Sequence, residues 1–189
     1  VDELKENCRN IIDIKGFEEN GLFAVLHESP LSFNPYKHLN RVERALEGVS
    51  RVAINTISEY SRSMDRAMVS EFLAALKSVL KGRGITSLWT AHASNIFGSI
   101  ANEEHEACYI ADTVLLLRFV EITSNLRRAL SIIKMRGNVH KGEIREYVIG
   151  ERGIEIRTPF RGLEGVMGAA PQRVKALREV FGIEERRRE

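Results

Sequence analysis

At 189 residues and 21.4 kDa the chain is long enough for one domain with a substantial core, and 43% hydrophobic with 29% charged residues is the balance of an ordinary globular protein. A formal net charge of +2, much of it in the run Arg186-Arg187-Arg188, is too small to argue for nucleic acid, and no apolar run approaches membrane-spanning length. Cys8 and Cys108 lack metal-ligand spacing, which favours a reduced, cytoplasmic setting while leaving one disulfide open.

The chain starts at Val1 directly on a helical pattern, without a signal-peptide pattern, as expected of a truncated or processed product. Leu4, Cys8, Ile11 and Ile12 predict an amphipathic helix ending near Gly16. Leu22–Leu26, an apolar run after Asn20-Gly21, predicts a short buried strand. Pro30 and Pro35 punctuate a loop, and Leu39, Val42, Ala45 and Leu46 line the next helix. Val52-Ala53-Ile54 predicts a second buried strand. Met68, Phe72, Leu73, Leu76, Val79 and Leu80 predict a long helix, stopped by the glycines at 82 and 84. Ile85–Trp89 predicts a third strand.

Strands alternating with helices in this order imply an α/β domain with a mostly parallel sheet. Past Asp112 the pattern changes. Thr113–Ile122, Ala129–Arg136, Ile144–Ile149 and Ile154–Ile156 are predicted strands without helices between them. They read as an antiparallel meander on the edge of the parallel sheet. Pro171 opens a predicted terminal helix with Val174, Leu177 and Val180, and residues 183–189 are expected to be a disordered tail. The chain contains no internal repeat, so 1–189 reads as a single domain.

One stretch carries the clearest chemistry. The apolar alternation of the predicted strand Ala129–Arg136 delivers Lys134 and Arg136 two residues apart, so both are expected to project from the same face, followed by Gly137, Asn138 and His140. Two fixed cations and an imidazole at a strand end suit a phosphate group, and a glycine allows close backbone approach. The competing reading is a solvated strand end with a turn. Asn55, ending the second strand, stands where a nucleotide-hydrolysing domain would place a magnesium-shell Asp, and it reads equally as a helix cap. His92, after the third strand, reads as a loop hydrogen-bonding residue ahead of a phosphate sensor. Glu103-Glu104-His105-Glu106 reads as a solvated helix start rather than a cation site. No basic–aromatic patch suits single-stranded bases.

Taken together, five segments resemble the KaiC-like branch of the RecA ATPase superfamily. They are Arg51-Val52-Ala53-Ile54-Asn55-Thr56-Ile57-Ser58, Ile110-Ala111-Asp112-Thr113-Val114-Leu115-Leu116-Leu117, Lys134-Met135-Arg136-Gly137-Asn138-Val139-His140, Glu143-Ile144-Arg145-Glu146-Tyr147-Val148-Ile149, and Pro159-Phe160-Arg161-Gly162 through Gly168-Ala169-Ala170-Pro171. The resemblance, greatest to the second ATPase domain of the cyanobacterial clock protein, implies a RecA-like fold and ring-forming ATPases with ATP held between subunits. It implies that Lys134 and Arg136 reach the γ-phosphate of a neighbour's ATP in trans. Met135, Asn138, His140 and Lys141 would lie close by, and Gly150-Glu151 would fall on the ribose and base side. Mg2+ would accompany hydrolysis.

The resemblance also places a Walker A loop and paired catalytic glutamates before Val1, on a strand central to the sheet. The 189 residues should therefore be a partial domain with a hole in its core, and inactive alone. Asn55 replaces the magnesium-shell Asp, so weak or absent hydrolysis is expected. Cys108 and Tyr109 replace the clock protein's phosphorylated Ser-Thr pair, and Glu103 a further Thr, which argues against autokinase activity. Whether the longer protein is an enzyme stays open. The expected function is ATP binding within a homo-oligomeric ring, a hexamer by resemblance. The alternatives are a degenerate interaction or signalling module, or a recombinase-related DNA-repair paralogue testable by salt-dependent binding to single-stranded DNA.

Overall fold

The computed structural model describes residues 2–28, 33–92, 109–122, 124–161, 163–164 and 172–173. The chain divides into two compact units, one of residues 1–94 with 101–111 and one of 95–100 with 112–189.

The first unit opens with helices α1 (Asp2–Cys8), α2 (Ile14–Glu19) and α3 (Pro35–Ala45). Strand β1 (Arg51–Ile54) follows, then a 3-10 turn (Ile57–Glu59), α4 (Tyr60–Ser63), the long α5 (Arg66–Gly82) and β2 (Thr86–Trp89). Helix α5 begins where the Asp65 carboxylate accepts the Met68 amide at 2.9 Å, which satisfies one of the free N–H groups of the first turn. It ends at Gly84, whose φ of 69° is reached without strain only by glycine. The Gly84 amide donates to the Lys81 carbonyl and the Ile85 amide to the Leu80 carbonyl, closing a Schellman motif. The chain then turns directly into β2. Between these ends Val69, Phe72, Leu73, Leu76 and Leu80 form one buried stripe, with Leu76 and Leu80 almost wholly removed from water. Each such leucine contributes about 1.5–3 kcal/mol of transfer free energy. Leu46, Ile57 and Ile85 complete this core, and Val52, Ile54 and Trp89 pack against it.

β1 and β2 pair in parallel from Arg51 opposite Thr86 to Ile54 opposite Trp89, the two strands of a βαβ unit. The expected long helix and third strand are thus borne out. β1 is half-buried, not fully buried: Val52 and Ile54 face the core while Arg51 and Ala53 are exposed. Two further expectations fail in this unit. The N-terminal helix stops at Cys8, and a second helix, capped by Asp13, runs through Gly16. No residue of α1 is buried, so its apolar spacing had no surface to select it. Leu22–Leu26 is not a strand. It has no ladder among the described residues, and Leu22 is 73% exposed. Pro35 ends the loop and opens α3, because Asn34 caps the helix and proline fits its first turn. Pro30 lies outside the described residues.

The second unit holds the expected meander: β3 (Thr113–Ile122), β4 (Asn125–Met135), β5 (Ile144–Gly150) and β6 (Gly153–Pro159), paired antiparallel in chain order. Among the described residues no ladder joins it to the parallel pair. Val120 and Ala129, both 1% exposed, centre a small core with Ile122, Ile144 and Phe160. Gln172–Arg173 form a two-residue strand, β8, against β7 (Leu163–Glu164), where a helix was expected from Pro171 onward. Val174, Leu177, Val180 and the tail at 183–189 lie outside the described residues, as do Glu103–Cys108. No described helix is long and apolar enough to cross a membrane.

Candidate functional site

The candidate phosphate-contacting residues sit at the end of β4 and in the connection to β5. Their aim is set by a bulge. Lys134 pairs with Val114, but the next rung joins Ile132 to Leu115, which leaves Ile133 as an extra residue in β4. The side-chain alternation is thereby shifted by one, so Lys134 shares a face with Val114, Ser131 and Ala129. Without the extra residue Lys134 would lie on the opposite face.

Arg136 follows the last strand residue, and its amide continues the ladder by donating to the Asp112 carbonyl at 2.8 Å. Its guanidinium lies 3.6 Å from the Asp112 carboxylate, with both side chains about half exposed. Gly137 turns the chain with a φ of 76°. Met135, opposite Thr113, is partly buried, as are Lys134 and His140, while Asn138 and Lys141 are exposed. A Cβ built on Gly137 would meet nothing within 4 Å, so Gly137→Ala is opposed by backbone strain alone. The expected cost is about 1 kcal/mol by urea denaturation; a change below about 0.3 kcal/mol would show that the turn tolerates other conformations.

Glu143, in the same connection, lies among cations. Arg145 donates to Glu143 through Nε at 3.1 Å and Nη2 at 2.6 Å. This holds the Glu143 carboxyl below its ordinary range, with added Coulombic help from Lys141 and Arg161.

Gly150 and Glu151 lie elsewhere. They occupy the turn between β5 and β6, where Gly150 pairs with Gly153. Ile144 pairs with Ser131 near the cationic end, and the seven residues from Ile144 to Gly150 carry the chain roughly 20 Å away. The structure therefore brings Lys134, Met135, Arg136, Asn138, His140 and Lys141 together, and sets Gly150-Glu151 at the far end of β5.

A second polar cluster lies where β1 and β2 end. The Thr90 hydroxyl donates to the Asn55 side-chain oxygen at 2.7 Å, and the Thr56 hydroxyl donates to the Thr90 carbonyl at 2.9 Å. Asn55 is exposed and joined to its successor by a cis peptide. The cap of the following 3-10 turn is Thr56, whose hydroxyl accepts the Ser58 amide at 3.3 Å, so the helix-cap reading of Asn55 is corrected. His92 is exposed and its backbone amide donates to the Ser58 hydroxyl at 2.9 Å, a loop role. Among the described residues no group of three or more His, Cys, Asp or Glu could hold a metal ion.

Residues 2–160 match the family described as "ATPase: KaiC". The chain belongs to the KaiC ATPase family. It is 33% identical over 165 residues to the circadian clock oscillator protein KaiC of Parathermosynechococcus lividus, covering 86% of this chain and 30% of the relative. The KaiC of Thermosynechococcus vestitus is 34% identical over 165 residues, covering 86% and 32%. KaiC3 of Synechocystis is 30% identical over 162 residues, covering 85% and 32%. The chain thus spans about a third of the length of these relatives. A crystal structure of a KaiC-like protein from Pyrococcus horikoshii superposes with a TM-score of 0.72 at 23% identity, covering 84% of this chain and 71% of that one, which shows the shared RecA-like fold.

This KaiC-family chain also contains a polar network that its sequence pattern did not flag. His38, on the buried side of α3, is 8% exposed. Its Nε2 lies 3.2 Å from the Tyr60 hydroxyl and its Nδ1 3.5 Å from Glu28, which also pairs with Arg41. Phe33, Tyr60 and Phe72 surround the imidazole with ring centroids 5.2, 5.9 and 6.0 Å away. Burial raises the Tyr60 pKa, so the hydroxyl remains protonated. The only sequence signal was His38 standing four residues before Val42 on the apolar stripe of α3.

Proposed function

We propose that the chain is a partial RecA-like domain of a cytoplasmic, ring-forming ATP-binding protein, and that its β4 end supplies the Lys-x-Arg side of an ATP site between subunits. The observation that carries this reading is the bulge-set face shared by Lys134 and Val114, with Arg136 held beside Asp112 at the tip of β4. Lys134 supplies a point charge and Arg136 a planar fork, a combination suited to a terminal phosphate. Asn138, His140 and Lys141 add donors on the same connection. Gly150 and Glu151, at the other end of β5, belong to the ribose and base side, so the ligand would lie extended along that strand.

Hydrolysis is expected to be weak or lost. Asn55 is neutral where a carboxylate would steady the magnesium shell, and its side-chain oxygen is already engaged by Thr90. Mg2+ would accompany ATP only in a hydrolytic parent. Asn55 equally favours a second reading, a degenerate member that retains the family fold as an interaction or signalling module without chemistry.

Equilibrium dialysis of the full-length protein with labelled ATP separates the two. The ATP-site reading expects saturable binding that accompanies ring assembly. An absence of saturable binding with the ring intact would leave the interaction module standing.

A further inference from the structure

Strands β1 and β2 run parallel and end together, Ile54 opposite Trp89, so the residues that follow them share one edge of the sheet. Open α/β sheets hold their ligands at this carboxyl edge. The oxygen atoms here are committed to one another. The Thr90 carbonyl accepts both the Ile57 amide and the Thr56 hydroxyl, at 2.9 Å each. The Thr56 hydroxyl in turn accepts the Ser58 amide, and the Ser58 hydroxyl accepts the His92 amide. The carboxylate next in sequence, Glu59, is paired with Arg62 at 3.3 Å.

Asn55 completes the cluster, and Thr90 orients its amide. The Thr90 hydroxyl carries a single proton and has the Asn55 side-chain oxygen at 2.7 Å and the Ile54 carbonyl at 3.4 Å. The shorter bond takes the proton, so the Asn55 oxygen is the acceptor. Its NH2 group is left as a donor, exposed and with no partner among the described residues. Mg2+ demands near-ideal octahedral geometry and is held through carboxylates together with substrate phosphates. A neutral amide whose oxygen is already engaged does not fit that demand. It fits an anion instead. An NH2 donor attracts a phosphate oxygen, where a carboxylate in the same place would repel it unless a cation lay between them.

We propose that Asn55 makes nucleotide binding independent of a divalent cation: the ligand taken is the nucleoside triphosphate itself, without Mg2+. Metal-independent binding rests on the ATP-site reading above, in which Lys134 and Arg136 supply the positive charge that Mg2+ would otherwise bring. Loss of hydrolysis alone does not require it, since a site can retain Mg2+ and ATP without turning the nucleotide over. The metal requirement is here assigned to one side chain, through the charge it lacks.

Calorimetric titration of ATP into the full-length protein, once in Mg2+ and once in EDTA, tests this. The wild-type dissociation constant is expected to differ by less than about threefold between the two conditions. Asn55→Asp keeps the shape of the side chain and its bond from Thr90 but adds a negative charge. It is expected to lose roughly tenfold or more in affinity in EDTA and to recover in Mg2+. Asn55→Ala removes the amide without adding charge and should stay insensitive to EDTA. Wild-type binding that vanishes in EDTA and returns with Mg2+ overturns the proposal and leaves the ATP-site reading intact. An Asn55→Asp protein as insensitive to EDTA as wild type, or one whose loss Mg2+ does not reverse, overturns it too, since residue 55 would then not set the metal requirement. No saturable ATP binding in either condition removes the ATP-site reading, and metal-independent binding with it.

Discussion

Leu76→Ala is expected to destabilise the first unit by about 3–4 kcal/mol, read as a shift of the urea midpoint at unchanged slope. Leu76 is fully buried at the centre of α5, among Leu73, Leu80, Phe72 and Val69. Truncation removes its transfer free energy and leaves a cavity that helix-borne neighbours can only partly fill. Against a total stability of about 5–15 kcal/mol this is a large fraction, so partial unfolding at physiological temperature is expected. Leu22→Ala is the matched comparison. Leu22 is 73% exposed, and its loss should stay within about 0.5 kcal/mol. A cost below 1 kcal/mol at Leu76, or a cost at Leu22 equal to that at Leu76, would contradict the core described above. The second outcome would also restore the predicted buried strand at Leu22–Leu26.

Under the proposed intersubunit-site reading, Arg136→Ala is expected to weaken ATP binding by the full-length protein roughly 10- to 100-fold, the equivalent of about 1.5–3 kcal/mol for a lost charge-assisted hydrogen bond. The loss should appear with ATP and be small with adenosine, because the guanidinium is assigned to phosphate. Arg136→Lys should restore part of the affinity, since it keeps the charge without the planar fork. Ring assembly in the absence of nucleotide should change little, because the side chain is half exposed and lies 3.6 Å from Asp112 of its own chain. Titration calorimetry with the two ligands checks this. Equal affinity of wild type and Arg136→Ala for ATP would remove the trans-site assignment, whatever the ring does.

Local signals made much of the architecture legible. Helix α5 announced itself because apolar residues at three- and four-residue spacing, an Asp cap and a Gly84 stop all agreed. β3, β5 and β6 appeared close to their expected places because each pairs with a chain neighbour across a short connection, which alternation and turn residues encode. The five family segments carried the resemblance to the KaiC-like ATPases, which the family match over residues 2–160 bears out.

Leu22–Leu26 shows the limit of such signals. An apolar run has the composition of a buried strand, but burial needs a partner surface that lies elsewhere in the chain. His38 shows the converse. Its spacing looked unremarkable, and only the folding of α4 and α5 against α3 brought Tyr60 and Phe72 to its ring.

By itself the amino-acid sequence determined the family, the alternation of helices and strands, and the residue types at the β4 tip, because each is written in local spacing. Tertiary structure alone decided which way those residues face. The single extra residue at Ile133 shifts Lys134 onto the face of Val114, and pairing with β5 sends Gly150 and Glu151 to the opposite end of the sheet. Register between strands arises from contacts distant in sequence, and a one-residue change in it moves every side chain beyond to the other face.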